Sequence, residues 1–355
     1  MLKHNLPGPL PDAGRWLARA DRVLDGQPLT AEEGLAVLRS PDSELLEILS
    51  AAYRLRYARW GNRVHLNFLI NAKSGSCAED CAYCSQSIVS DARIARYKLL
   101  DPQQILDGAR VAAERKAKTY CIVISGRSPQ QRELDVIASV VPRIKQAHGL
   151  SICVSPGFLD VGQARRLKEC GVDRVNHNLN TSERFYPRIC TTHAYQQRVD
   201  TLRVCRQAGL ELCSGGIVGM GEEDADVVEL ALRLGGFRAE AVPINFLIPI
   251  AGTPLAEVPP LTPGYCLKVL SLFRLANPRC ELRIAAGREV QLRSLQPLAL
   301  FAADSLFVGD YLTTKGQPPG EDYRMIEDLG FEIENRQTPV ADRRKRRGGA
   351  RDLER

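Results

Sequence analysis

Three cysteines lie close together in one short stretch of small and polar residues. Cys77, Cys81 and Cys84 have the spacing Cys-x₃-Cys-x₂-Cys. Structural zinc sites and ordinary electron-transfer clusters take four protein ligands, so three cysteines on a four-iron cluster would leave one coordination position for a substrate or cofactor. The spacing therefore indicates chemistry at an open cluster. The alternatives are zinc, which normally takes paired Cys-x₂-Cys ligands, and three loop cysteines without a metal.

Four further residues that can bind a cluster lie inside predicted β-strands. They are Cys121, Cys153, Cys213 and Arg283. A strand side chain in a barrel faces either the helices or the lumen, so inward-facing side chains at these positions would meet and form a second site deep in the barrel. Core packing is the alternative for the cysteines, because free cysteine is among the most buried residue types. For the arginine, the alternative is a salt bridge to Glu289 or Asp304.

The chain contains eleven cysteines, an odd number. The first thirty residues lack a signal-peptide pattern, and no apolar run approaches the roughly 18 residues of a membrane span, so we expect a cytoplasmic protein with no membrane contact. Disulfides are rare in that compartment, which favours metal ligation plus core packing. The five cysteines outside the two groups are interpreted as packing residues: Cys170, Cys190, Cys205, Cys266 and Cys280.

Side-chain amides are concentrated after the fourth predicted strand. Asn176, Asn178 and Asn180 alternate there, and Asn245 lies inside the sixth strand. Such amides suit a neutral, amide-like or ribose ligand, although loop capping is the alternative. The glycine-rich stretch 214–222 lacks the G-x-G-x-x-G order, so it is only a weak nucleotide signal that fits close approach of the backbone to a ligand. No Ser/His/Asp arrangement supports hydrolysis.

Repeated βα units must position these residues. At 355 residues and 44% hydrophobic, the chain can bury a large core. After Gly61, eight short β-branched runs alternate with segments long enough for crossover helices, which predicts an α/β fold, a (β/α)₈ TIM-type barrel. A doubly wound open sheet is the second possibility, since periodicity cannot show closure. The predicted strands are 64–70, 119–125, 150–154, 172–176, 210–218, 242–248, 281–285 and 303–308.

The helical segments complete the predicted organisation. Residues 1–60 form an N-terminal helical extension that caps the barrel, with helix starts near Thr30 and Asp42, and residues 61–335 form the barrel itself. The predicted crossover helices are 101–115, 130–148, 162–170, 195–208, 224–234 and 262–275. In this frame the first cysteine group follows the first strand, on the face where barrel active sites gather.

A basic tail accounts for most of the net charge of +6. Residues 341–355 contain seven Lys/Arg and three Asp/Glu, and the remainder of the chain is nearly balanced. Residues 336–355 have no apolar periodicity, and the basic run 343–347 has no interleaved aromatic residues. We therefore predict a disordered, solvated tail and no nucleic-acid partner; a weak contact with an anion is the alternative.

The longer motifs resemble those of the radical S-adenosylmethionine (SAM) enzymes, and in particular the members of that family that insert sulfur into dethiobiotin. The resemblance runs from about Gly61 to Leu329. It rests on the first cysteine group with its surroundings and on several motifs in the family's order. These motifs are Asn-His-Asn at 176–178, Cys-Ser-Gly-Gly-Ile-Val-Gly at 213–219, Val-Pro-Ile-Asn at 242–245, Ala-Gly-Arg-Glu at 286–289 and Leu-Thr-Thr at 312–314.

The resemblance implies two clusters. Cys77, Cys81 and Cys84 would hold a [4Fe-4S] cluster whose fourth iron chelates SAM, which one electron cleaves to a 5′-deoxyadenosyl radical. The second set, Cys121, Cys153, Cys213 and Arg283, would ligate a [2Fe-2S] cluster that donates the inserted sulfur. Arginine is an unusual iron ligand because its guanidinium is almost always protonated, so a weakly held, labile cluster would follow.

The resemblance also assigns ligand contacts and partners. Asn180 and Arg198 would hold SAM, and Tyr83 would pack against a bound aromatic ring. An electron donor such as flavodoxin or ferredoxin and a homodimer are further implied. The residues expected to contact dethiobiotin are Asn178 and Asn245 at the ureido ring and Thr313 and Thr314 at the carboxylate.

The sequence departs from the family pattern at three positions. Some members have aspartate where Asn180 stands and tyrosine where Val175 stands, which makes the ribose contact less certain than the cysteines. Ala78 takes a place often held by proline, which should affect only the stiffness of the loop.

Two other functions would account for part of the cysteine pattern. A radical maturase or mutase with the SAM cluster alone would not need the four strand-borne residues. A non-catalytic iron-sulfur carrier would need four cysteines on its cluster and no substrate pocket. Sulfur insertion by a radical SAM sulfurtransferase is therefore the function that the sequence favours.

Overall fold

The computed structural model describes residues 14–75 and 77–334. Within these ranges there are eleven α-helices and three 3₁₀ helices (Asp42–Glu44, Tyr186–Arg188 and Arg293–Phe301). The α-helices, numbered α1 to α11 in chain order, are Gly14–Leu24, Ala31–Leu38, Leu45–Trp60, Pro102–Glu114, Gln131–His148, Val161–Glu169, Tyr195–Gln207, Asp224–Phe237, Pro263–Ala276, Arg288–Leu292 and Pro319–Asp328. The predicted basic tail, 336–355, lies outside the described residues.

Ten strands form one parallel sheet that closes on itself. Numbered β1 to β10, they are Arg63–Lys73, Thr119–Ile124, Ser151–Ser155, Arg174–Asn176, Glu211–Cys213, Gly216–Val218, Ala241–Phe246, Glu281–Ile284, Ser305–Phe307 and Glu332–Ile333. Closure comes from β9, which pairs with β1 through Leu306 opposite Leu66. The predicted (β/α)₈ barrel is therefore confirmed, and the open sheet is excluded.

Local sequence signals explain where the helices begin. The Asp101 carboxylate accepts from Gln104 N at 2.9 Å while the Gln104 side chain accepts from Asp101 N, so the capping box and Pro102 start α4 together. Thr30 and Glu33 form the same box at α2. All six predicted crossover helices are present as α4 to α9. No described helix is long and apolar enough to span a bilayer.

The fifth predicted strand is interrupted. Cys213 ends β5, and Gly216 begins β6, because the chain at Ser214 and Gly215 passes directly against β7. A Cβ on Gly215 would lie 1.8 Å from Pro243 O, so only glycine fits there. The glycine-rich stretch thus brings backbone close to a neighbouring strand, whereas the sequence suggested approach to a ligand. β10 is a two-residue strand on β1 that the sequence did not predict.

Helices α1 to α3 pack on the outside of the barrel. α2 and α3 contact α8 and α9, and buried Arg56 of α3 donates to Ala303 O at 2.9 Å and Arg63 O at 2.9 Å. The extension therefore covers the side of the barrel and the chain's entry into β1. Residues 14–60 contribute no side chain to the cavity at the carboxyl ends of the strands.

The strands alternate between two environments. In β2, β3 and β5, the residues beside the cysteines, Ile122, Val154 and Leu212, belong to the main core between sheet and helices. The cysteines themselves form a separate buried cluster with Ala241, against which Leu69 and Phe307 pack. This period of two places Cys121, Cys153 and Cys213 in the lumen.

We predict that the buried ion pair between Arg274 of α9 and Asp304 before β9 stabilises the barrel. Both side chains are fully buried, and the guanidinium also donates to Ala302 O and Cys280 O. Asp304→Ala would leave a buried charge unpaired and lower the free energy of unfolding by about 3–5 kcal/mol. Urea denaturation followed by circular dichroism measures this change.

Asp200→Ala is the matched control for that variant. Asp200 pairs with Arg203 at 3.0 Å, with both side chains more than half exposed. Its loss should cost less than about 1 kcal/mol. Equal effects of the two substitutions would contradict the role assigned to Asp304.

Candidate active site

One cavity of about 390 Å³ opens at the carboxyl ends of the strands. Almost all of the predicted site residues line it, although they come from distant parts of the chain. Only Cys213 does not, because it lies fully buried in the lumen beneath the cavity. The predicted residues that line the cavity are Cys77, Cys81, Tyr83, Cys84, Cys121, Cys153, Asn178, Asn180, Arg198, Asn245, Arg283, Thr313 and Thr314.

The loop that carries the first cysteine group follows β1 and forms one side of the cavity mouth. Gln86 Oε1 accepts from Gly75 N at 2.9 Å, and Cys84 N donates to Cys81 O at 3.0 Å, so the loop folds back on itself. Burial raises the pKa of the Cys77 and Cys84 thiols. Three thiols on one loop, all bordering one cavity, are a donor set that fits a cluster with one open position.

The residues expected to contact SAM surround the same loop. Asn180 has a positive φ of 72° and donates through Nδ2 to the Tyr83 hydroxyl at 2.7 Å. Arg198 of α7 donates through Nη1 to Asn178 O at 3.0 Å and contacts His193 Nε2 at 3.1 Å. Both side chains therefore already have partners that fix their orientation at the cavity wall.

The second group meets in the lumen below the cavity. Cys121 on β2 is the register partner of Cys153 on β3, and Arg283 Nη1 lies 3.8 Å from Cys213 Sγ. The hydrogen bond from the Cys153 thiol lowers the pKa of Cys213, desolvation opposes this, and Arg283 and Arg174 lower it further. The structure thus brings together three thiols and one guanidinium, as expected if these strand positions face the lumen.

A buried carboxylate holds the arginine in place. Arg283 Nη2 donates to Glu281 Oε1 at 2.6 Å, and Arg174 Nη1 donates to Glu281 Oε2 at 2.9 Å. Burial opposes ionisation of Glu281, but the two guanidinium charges keep its pKa well below the usual range. The partner of Arg283 is therefore Glu281, and the expected alternatives, Glu289 and Asp304, were wrong.

Asp304 and Glu289 have other partners. Asp304 pairs with Arg274. Glu289 Oε1 accepts from the Tyr311 hydroxyl at 3.0 Å. Neither carboxylate pairs with Arg283. The charge of Arg283 is balanced by Glu281 inside the barrel.

The amides expected at the substrate are partly engaged with the protein. Asn245 donates to Gly216 O and accepts from Ala286 N, both at 3.1 Å, which leaves one donor hydrogen and one lone pair. Asn178 Oδ1 accepts from Gly215 N and Asn176 Nδ2, both at 3.1 Å. These bonds hold the amides at the cavity wall while leaving each a group for a ligand.

The threonines complete the cavity on its far side. Thr313 Oγ1 lies 2.8 Å from Ser85 Oγ, which joins the segment after β9 to the loop of the first cysteine group. Thr314 O accepts from Tyr311 N at 2.9 Å. The two loops therefore meet across the mouth.

Sequence reasoning missed a polar cluster at the edge of the loop. Glu79 accepts from Arg127 Nη1 at 2.9 Å and contacts His193 Nδ1 and Thr192 Oγ1 closely. Cys190, interpreted as a packing residue, lies with its sulfur 3.9 Å from Cys81 Sγ. The available signal was the run Cys-Thr-Thr-His at 190–193 beside the Asn-rich segment.

Two family models match the chain. The Radical SAM superfamily matches residues 73–234, and the Biotin and Thiamin Synthesis associated domain matches residues 243–332. Among solved structures, methylornithine synthase superposes with a TM-score of 0.75 at 20% identity, covering 89% of this chain and 97% of that one. The FeFe-hydrogenase maturase from Carboxydothermus hydrogenoformans gives 0.75 at 15% identity, covering 90% and 79%. These two share the fold.

Fold, cavity and family model together define a radical SAM enzyme. Biotin synthase from Rhodopirellula baltica is 55% identical over 90% of this chain and 89% of its own length, and that from Geobacillus kaustophilus is 55% identical over 92% and 98%. Biotin synthase from Bacillus subtilis is 50% identical over 90% and 96%. The chain therefore belongs to the biotin synthase family. Its radical SAM domain implies a [4Fe-4S] cluster and SAM as cofactors.

We predict that His177 makes folding stability depend on pH. Burial, then the charges of Arg198 and His193, holds the pKa of His177 well below its usual 6.5, and its Nε2 has no hydrogen-bond partner among the described residues. Below pH 6.5 the unfolded chain binds a proton at this residue and the folded chain does not. The free energy of unfolding should therefore decrease as the pH decreases. This residue contributes up to about 1.4 kcal/mol per pH unit.

Urea denaturation of the parent and His177→Gln between pH 7 and pH 5 measures the effect. The variant should lose less stability than the parent over this interval. Identical losses would show that His177 does not cause the dependence.

Proposed function

We propose that this chain inserts sulfur into dethiobiotin to form biotin, as a radical SAM sulfurtransferase with two clusters. Cys77, Cys81 and Cys84 would hold the [4Fe-4S] cluster that binds SAM. A [2Fe-2S] cluster, the sulfur donor, would be ligated by Cys121, Cys153, Cys213 and Arg283. One observation carries the proposal: three thiols and a guanidinium converge in the lumen beneath a cavity that the open three-cysteine loop borders.

The bound cofactors would supply reductive cleavage of SAM, and with it the power to remove hydrogen from an unactivated C–H bond. The protein's contribution is positioning and exclusion. Because the loop cysteines lie at the mouth and the lumen thiols lie beneath the cavity, a substrate between them has its C–H bonds directed at both. The barrel must also keep water and side chains away from the reactive centre.

Polar groups on opposite sides of the cavity would orient dethiobiotin. The free donor and lone pair of Asn245, with the Asn178 amide, suit the ureido ring, which has both N–H and C=O groups. Thr313 and Thr314 would bind the carboxylate. The substrate would then span the cavity between these two ends.

Asn180, Arg198 and Tyr83 would contact SAM. All three border the first cysteine group, and the Asn180–Tyr83 hydrogen bond at 2.7 Å sets the ring's orientation. Arg198 uses one N–H to donate to Asn178 O. Because a guanidinium has five N–H groups, another remains available to a SAM oxygen.

Several further assignments belong to this proposal. An electron donor such as flavodoxin or ferredoxin would supply the electron, and the chain would act as a cytoplasmic homodimer. All eleven cysteines are free, which is compatible with a reducing compartment.

The central prediction concerns Cys153. Cys153→Ala should remove the lumen cluster, and therefore about one third of the iron of a chain that carries one [4Fe-4S] and one [2Fe-2S] cluster. Anaerobic reconstitution followed by iron and sulfide analysis measures this. Biotin formation should be abolished, whereas reductive SAM cleavage should persist.

Cys205→Ala is the matched control, because Cys205 is a fully buried thiol on α7 outside the cavity. It should keep the parent's iron content. Full iron and biotin formation in Cys153→Ala would refute the second cluster. No SAM cleavage by the parent with reductant and dethiobiotin would refute the proposal as a whole.

A second prediction concerns substrate binding. Thr313→Val keeps the side-chain volume but removes a hydroxyl, so KM for dethiobiotin should rise about tenfold or more, the cost of a lost bond to a charged group. Steady-state biotin formation measures KM. Thr201→Val, on α7, should leave KM unchanged, because Thr201 bonds within its own helix. An unchanged KM in Thr313→Val would remove Thr313 from the substrate site.

A further inference from the structure

A second set of metal-binding side chains lies at the edge of the first cysteine loop. Cys190 follows the 3₁₀ helix Tyr186–Arg188, far from Cys81 in sequence, yet the two chain segments are joined. Ala82 N donates to Ile189 O at 2.8 Å, and the Asp80 carboxylate accepts from the backbone of the residue after Cys190 at 2.9 Å. These bonds fix the separation of the two sulfur atoms.

The distances fit one tetrahedral metal ion. Cys81 Sγ and Cys190 Sγ are 3.9 Å apart, and Cys190 Sγ lies 3.3 Å from His193 Nδ1. Bonds of about 2.3 Å to sulfur and about 2.0 Å to nitrogen at tetrahedral angles require about 3.8 and 3.5 Å. All three ligand atoms lie within 4.8 Å of one another, and all three residues are buried.

Three protein ligands leave the fourth position of a tetrahedral ion to water, and a supporting shell is also present. Glu79 Oε2 contacts His193 Nδ1 and lies beside the three ligands. The other Glu79 oxygen accepts from Arg127 at 2.9 Å, and His193 Nε2 lies 2.7 Å from the Tyr186 hydroxyl. Ligating histidines typically have such outer partners.

We propose that the cluster-free chain binds one zinc-class divalent cation through Cys81, Cys190 and His193, and that this ion and the [4Fe-4S] cluster exclude each other. Binding releases the two thiol protons to solvent. The exclusion rests on the proposed function, because it requires Cys81 as a cluster ligand. The binding of the cation does not.

The site shares Cys81 with the cysteine triad, but its other ligands are different. Cys77 and Cys84 supply no atom to the group of ligands that lie together, whereas Cys190 and His193 come from a different loop. A zinc ion bound by the triad would depend on Cys77 and Cys84. The two possibilities therefore predict opposite patterns of sensitivity to mutation.

Cobalt titration of the full-length, cluster-free protein tests the cation site. The titration is done without oxygen, with a phosphine reductant, and Zn²⁺ is then used to displace the Co²⁺. The parent should bind one Co²⁺ with thiolate charge-transfer and tetrahedral d–d absorption. Cys190→Ser and Cys190→Ala should each weaken binding at least about tenfold, whereas Cys77→Ser and Cys84→Ser should not.

The inference is overturned if the parent binds no cobalt tetrahedrally, or if Cys77→Ser weakens binding as much as Cys190→Ser. Circular dichroism of each variant identifies any that fails to fold. Because Cys190 is replaced in two different ways, the test stays decisive if one of these variants fails to fold.

Cluster assembly tests the exclusion separately. One equivalent of Zn²⁺ added before iron and sulfide should suppress cluster formation in the parent but not in Cys190→Ser. Equal suppression in both proteins would refute the exclusion. Without zinc, both should take up the same iron; low iron uptake by both would instead count against the proposed function.

Discussion

The ion pair between Glu281 and Arg283 is the interaction on which the lumen depends. A guanidinium cannot stay charged inside a closed barrel without a counter-charge, because desolvation costs several kcal/mol per ion. Glu281 supplies that charge two residues earlier on the same strand and binds Arg174 as well. The fully buried Ser305 hydroxyl also donates to Glu281 Oε1 at 2.7 Å. Arg283 donates through Nη2 to Glu281 and through Nε to Ser305 Oγ, which leaves Nη1 facing Cys213.

The alternation of each strand links this chemistry to stability. A residue such as Cys153 faces the lumen while Val154 beside it fills the core under the helices, so one strand serves both purposes. A one-residue slip in register would exchange the two sets. The apolar faces that stabilise the barrel therefore also determine which side chains reach the lumen. Removal of a lumen thiol should leave the fold intact, since the main core does not include it.

The sequence predicted the barrel and the first cysteine group, because each depends on local periodicity or on short spacing. A period of two places alternate strand residues on one face but does not say which face is the lumen, so the second group rested on the family resemblance. The partner of Arg283 was not predictable: Glu281 precedes it by two residues, but Arg174 arrives from β4 on the other side of the barrel. The contact of Cys190 with Cys81 likewise joins residues 109 apart. The break after β5 was not predicted, because it depends on the position of Pro243 O, which no local pattern encodes.

The two cysteine groups also differ in how firmly the fold holds them. Lumen residues are part of a hydrogen-bonded sheet, whereas the first group lies on a loop held by turns and by side-chain hydrogen bonds such as Gly75 N to Gln86 Oε1. Strand positions keep their geometry whether or not a ligand is present. A loop can adapt, and the same cysteine can then serve different metal centres. Cys81 is in that position, because its sulfur borders both the cavity and the buried cluster around His193. If both proposals hold, selection between metals at the mouth depends on which ligands join Cys81.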